Sequence, residues 1–85
     1  MAKIEIYTTD FCPYCARAKA LLDRKGASYE EIHAPNGSAA RRDAIERSGG
    51  RTTVPQIFIN GQGVGGCDDL HALEREGRLD TLLAA

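Results

Sequence analysis

Two cysteines, Cys12 and Cys15, stand three positions apart in the stretch FCPYC. Such a pair can hold a metal ion, staple a fold or carry electrons by thiol–disulfide exchange. The residues between them favour the last. Pro13 suits the first position of a helix, where its missing N–H would be unbonded anyway. Cys12 then lies at a helix N-terminus, where free amides and the helix dipole favour a thiolate over a thiol. Cys15 falls one turn deeper on the same face, within reach of a disulfide. An exposed Cys12 can attack a substrate disulfide, and a more buried Cys15 can resolve the mixed disulfide. Free cysteines are also common in cores, but proline at 13 argues for an exposed Cys12.

Two competing chemistries are weaker. A zinc ion could draw on Cys12, Cys15, Cys67 and His71. Structural zinc usually takes its ligands from two short knuckles, whereas Cys67 and His71 read as part of a helix after a glycine turn. No metal is expected. The run from Gly61 to Gly66 matches the dinucleotide pattern G-x-G-x-x-G. It lacks a second strand–helix–strand unit and an acidic residue at the required distance. A hairpin return and a tight turn account for the same glycines.

The chain of 85 residues has room for one core, so a single domain over 1–85 is expected. Its 11 basic and 12 acidic residues nearly cancel, and the basic ones are spread from Lys3 to Arg78. No basic face is forced, and nucleic acid is not an expected partner. The start, MAKIEIYTTD, carries no apolar leader segment, and no apolar run approaches the roughly 18 residues of a membrane helix. No membrane association and a cytoplasmic location are expected. In a reducing cytoplasm, a cysteine pair is more often catalytic or metal-binding than a staple.

The elements that must position the pair follow from periodicity. Lys3 to Thr8 alternates polar and apolar residues and reads as a strand. Pro13 to Lys25 is helical, with Cys15, Ala18, Leu21 and Leu22 on one face and Gly26 as its stop. A weaker strand spans 28–33, and Ser38 caps a helix to about Ser48, closed by Gly49 and Gly50. Gln56 to Ile59 is a strand, Asn60-Gly61 a hairpin turn and Gln62 to Val64 its return. Asp68 then caps a final helix with Leu70 and Leu73, followed by an apolar cluster at Leu79, Leu82 and Leu83. The order β-α-β-α-β-β-α is that of a compact α/β domain. Phe11 reads as an ordinary core residue, and spacing assigns no role to His33 or His71.

Three stretches in order, CPYC at 12–15, TVP at 53–55 and GGCDD at 65–69, resemble a dithiol glutaredoxin of the small bacterial type. The resemblance covers essentially the whole chain. It implies a thioredoxin-like fold with a four-stranded mixed sheet flanked by helices, and glutathione as the reducing co-substrate. It also implies a cis Pro55 facing the cysteines, with Thr53 and Val54 presenting backbone to an extended peptide such as glutathione. Gly65 and Gly66 would let the chain pass close to a ligand. The turn of Gly66, Cys67 and Asp68, at a helix N-terminus, would hold the γ-glutamyl carboxylate. Asp68 or Asp69 would take the ammonium, Tyr14 would pack on the ligand, and Arg42, beside Arg41, would reach the glycine carboxylate.

One departure concerns the thiolate. Many glutaredoxins carry a lysine three positions before the nucleophile, and here that position is Thr9, followed by Asp10. Losing this cation weakens the electrostatic support for a Cys12 thiolate. Cys67 is a third thiol near the site, expected to be inert.

The expected function is reduction of protein–glutathione mixed disulfides and protein disulfides through Cys12 and Cys15 by a monomer. Its partners would be glutathione and proteins bearing such disulfides, with ribonucleotide reductase among the candidates. Two alternatives share the fold. An iron–sulfur cluster carrier would typically place glycine where Pro13 stands. A thioredoxin-like donor to ribonucleotide reductase would have no need of the GGCDD turn.

Overall fold

The structure is a computed structural model that describes residues 2–85. Its elements are β1 (Ile4–Thr8), α1 (Pro13–Arg24), β2 (Glu30–His33), α2 (Ala39–Arg47), β3 (Gln56–Ile59), β4 (Gln62–Gly65), α3 (Cys67–Arg75) and α4 (Leu79–Ala84). The strands form one mixed sheet in the order β2-β1-β3-β4. β1 runs parallel to β2 and antiparallel to β3, and β3 and β4 form the hairpin expected at Asn60-Gly61. Both turn residues take positive φ, 53° and 81°, as a tight hairpin of this kind requires.

Alternation along β1 and β3 sorts the core onto two faces. Ile4, Ile6, Ile57 and Ile59 pack with Ala18, Leu21 and Leu22 of α1, Leu70 of α3 and Leu79 of α4. Burying each isoleucine or leucine of this set contributes about 1.5–3 kcal/mol. On the opposite face Tyr7 and Phe58 meet Ala44 of α2, with their rings edge to face at 5.7 Å. There Arg47 donates to both Glu5 carboxylate oxygens and to the Tyr7 hydroxyl, and its guanidinium lies 4.0 Å from the Phe58 ring centre.

Five details differ from the sequence reading. The final helix is two helices, because Gly77, at φ 74°, breaks the chain between α3 and α4. α3 is capped by Gly66 rather than Asp68, and Asp69 reaches back to accept from the Gly66 N–H at 2.9 Å. The second strand is limited to Glu30–His33, and the return strand reaches Gly65. Phe11 is no core residue: it is fully exposed, at a φ of 55°.

Candidate functional site

β1 ends at Thr8, and the loop after it delivers Cys12 to the N-cap of α1. Pro13 occupies the first turn, as its missing donor allows. The Cys15 N–H points at Cys12 Sγ, 3.1 Å away, a donor placed to stabilise negative charge on that sulfur. Cys12 is partly exposed and Cys15 is buried, with their Cα atoms 5.2 Å apart. The two are joined as a disulfide, so the structure shows the oxidised pair.

The register Tyr7 opposite Gln56 brings the segment before β3 alongside the Cys12 loop. The Val54–Pro55 peptide bond is cis, and the Val54 carbonyl oxygen lies 4.0 Å from Cys12 Sγ. Two buried side chains fix this segment from behind. Arg41 donates to the carbonyl oxygens of Ala34 (2.8 Å) and Thr52 (3.1 Å), and Gln56 donates to that of Thr53 (2.9 Å). Between those anchors, the backbone N–H and C=O of Val54 make no backbone hydrogen bond among the described residues. They are free to pair with an added extended strand.

Beside Val54 lies a cleft of about 270 Å³ lined by Tyr14, Arg51, Thr53, Val54, Pro55, Gly66, Cys67, Asp68 and Asp69. Every glutathione-contact residue expected from the sequence lines it except Arg42. That arginine is exposed on α2 and donates to the Gly37 carbonyl, whereas its neighbour Arg41 turns inward. The cation of the cleft is Arg51, which the sequence reading missed. Its guanidinium pairs with the Asp69 carboxylate at 3.1 Å.

The α3 end of the cleft presents free backbone donors beside two carboxylates, Asp68 and Asp69. The amides of Cys67 and Asp68 precede the first helical bond, from Leu70 N–H to the Gly66 oxygen, and so remain free. Asp68 is exposed and makes no ion pair among the described residues. The Cys67 thiol is buried and its pKa is pushed up by that burial. His71 Nδ1 lies 2.9 Å from the Cys67 carbonyl oxygen, which places the histidine back along its own helix rather than in the cleft.

The Gly66 N–H, with Arg51 beside it, holds the Asp69 carboxyl below the usual carboxylate range. A lowered folded pKa adds stability that is complete above the unfolded value, about 4, and is lost as pH falls through the folded one. Urea midpoints measured at pH 7 and pH 3 should therefore fall further for wild type than for Asp69→Asn, which has no carboxyl to protonate.

The site can be set beside known proteins. The glutaredoxin family model matches residues 4–64. Glutaredoxin 3 of Escherichia coli K12 is 59% identical over 83 residues, which span 98% of this chain and 99% of that one. The solution structure of glutaredoxin from Brucella melitensis is similar at a TM-score of 0.84 and 60% identity, covering 98% of this chain and 89% of that one. A crystal structure of a buckwheat glutaredoxin–glutathione complex is similar at a TM-score of 0.87 and 32% identity, covering 98% and 77%. The chain therefore belongs to the glutaredoxin family of thiol–disulfide oxidoreductases, with Cys12 and Cys15 as its dithiol pair.

Proposed function

We propose that this chain uses glutathione to reduce protein–glutathione mixed disulfides and protein disulfides. The observation that carries the reading is the unpaired Val54 backbone beside Cys12, closed at one end by the free amides of α3. Glutathione is an extended tripeptide with a carboxylate at each end and an ammonium at one. Its backbone pairs with Val54, its γ-glutamyl carboxylate with the Cys67 and Asp68 amides, and its ammonium with Asp68. Arg51 supplies the positive charge that the sequence reading assigned to Arg42, and Tyr14 covers the ligand. The glutathione complex of the buckwheat relative supports glutathione as the ligand.

Catalysis follows from the asymmetry of the pair. The Cys12 thiolate attacks the glutathione sulfur of a mixed disulfide. A Cys12–glutathione disulfide forms, the bond between the glutathione and protein sulfurs breaks, and the protein thiolate leaves and takes a proton from solvent. A second glutathione thiolate then attacks the glutathione sulfur on Cys12, releasing glutathione disulfide and restoring the Cys12 thiolate. On a protein disulfide, Cys15 instead displaces the substrate from Cys12, and glutathione reduces the resulting Cys12–Cys15 bond. No metal enters these steps. The chain acts as one domain over 1–85, a monomer in the cytoplasm, on proteins carrying such disulfides, with ribonucleotide reductase one candidate.

The test is reduction of a glutathionylated peptide by glutathione, coupled to glutathione reductase. Cys15→Ser should retain turnover within about threefold, because the mixed-disulfide route uses Cys12 alone. A wild type inactive with glutathione but recycled by thioredoxin reductase would overturn the glutathione reading.

A further inference from the structure

Phe11 and Tyr14, on either side of Cys12 in sequence, are exposed large apolar side chains, 103% and 55% accessible. Tyr14 has the cleft to line. Phe11 has no such explanation. Its φ of 55° is left-handed, a conformation that bulky residues avoid. Among the described residues, every other one at positive φ is glycine or Asn60, types that tolerate it. The fold thus holds a strained backbone next to the nucleophile and leaves an aromatic ring in water. Strain kept at such a position points to a use.

Phe11 does not line the Val54 cleft. It lines a separate depression of about 470 Å³ with Asp10, Cys12, Pro13, Lys19 and Glu31. Glu31 is neutralised there by Lys19, at 2.9 Å, and accepts from the Thr8 hydroxyl. Asp10 is not neutralised: it is 78% exposed, and its one partner among the described residues is His33 at 3.7 Å. The depression therefore offers an apolar ring beside a net negative charge. A mixed disulfide brings two groups to Cys12. With glutathione against Val54, the polypeptide half needs a second seat.

We infer that Phe11 and Asp10 form that seat and select disulfide cysteines flanked by an apolar and a basic side chain. The inference rests on Cys12 as the attacking thiol and on the proposed seat for the glutathione half at Val54, but not on glutathione as the reductant.

The test uses pre-reduced protein in single turnover, without free glutathione, and reads the rate of thiol release. Three substrates are compared: a glutathionylated peptide with leucine and lysine beside its cysteine, one with glycine and glutamate there, and the cysteine–glutathione mixed disulfide. Wild type should prefer the first peptide to the second by about tenfold. Phe11→Asn keeps a residue that tolerates left-handed backbone while removing the ring. It should slow the first peptide about tenfold, leave the cysteine–glutathione disulfide within about twofold, and Phe11→Trp should restore the rate. Asp10→Asn should narrow the preference between peptides about threefold. Equal slowing of all three substrates by Phe11→Asn, or no slowing of the peptides, would overturn the assignment. A protein that glutathione fails to recycle still yields these rates, so the two readings fail separately.

Discussion

Cys12→Ser should lower reduction of a glutathionylated peptide by at least about a thousandfold, the scale on which losing an attacking nucleophile acts. The hydroxyl of serine is barely ionised near neutral pH, and the Cys15 N–H at 3.1 Å cannot make up that difference. Cys15 does not substitute as nucleophile, because its sulfur is buried behind Cys12. The loss should sit in kcat, with the fold intact: Cys12 caps α1 through a side-chain acceptor, and serine is itself a preferred N-cap. A thermal midpoint within a few degrees of wild type, alongside lost turnover, is the expected pattern. A Cys12→Ser protein that still turned over would show that the electrons pass through another thiol.

The second large effect is expected at Gly65. Its φ is 113°, and a Cβ there would run into the Asp69 carboxylate and the Arg51 guanidinium. Gly65→Ala therefore strains the backbone and forces apart the ion pair that closes the cleft. The backbone cost is about 1–3 kcal/mol. Displacing Arg51 and Asp69 should also raise the KM for glutathione about tenfold, as loss of a charge-assisted contact does. Gly63 is the control: it is not left-handed, and a Cβ would touch the Phe58 ring at an ordinary 3.5 Å. Gly63→Ala should therefore cost less than about 1 kcal/mol. Urea unfolding and glutathione titration of both variants test the pair. Equal behaviour of the two would mean that Gly65 is not held by the clasp.

The parts of this architecture that local rules govern were legible in the sequence. Pro13 after a strand-like run marked where α1 begins, Asn60-Gly61 marked the hairpin, and alternation in β1 and β3 marked both core faces. The thioredoxin-like topology and the cleft residues came from motif resemblance, which the geometry accommodates. What was missed depends on long-range partners or on single dihedrals. Arg51 acquires its role from Asp69, and no spacing rule joins them. Adjacent Arg41 and Arg42 look alike on a weakly amphipathic helix. Only the carbonyl groups of Ala34 and Thr52 show which one turns inward. Asp68 has the right chemistry for a cap, but the chain enters α3 two residues too early for it. Phe11 is apolar and so reads as core until its backbone points it outward.

The two walls of the active site are also separated in time. Cys12 and the helix behind it belong to the first strand–helix–strand unit, while Val54 follows 42 positions later and Asp69 later still. A ribosome adding roughly 5–20 residues per second leaves an interval of a few seconds between them. During it β1 has only β2 to pair with, and its other edge stays open until β3 arrives. The emerging chain thus owns a reactive dithiol before it owns the surface that chooses what the dithiol meets. Selectivity in this protein is a property of the finished sheet, and reactivity precedes it.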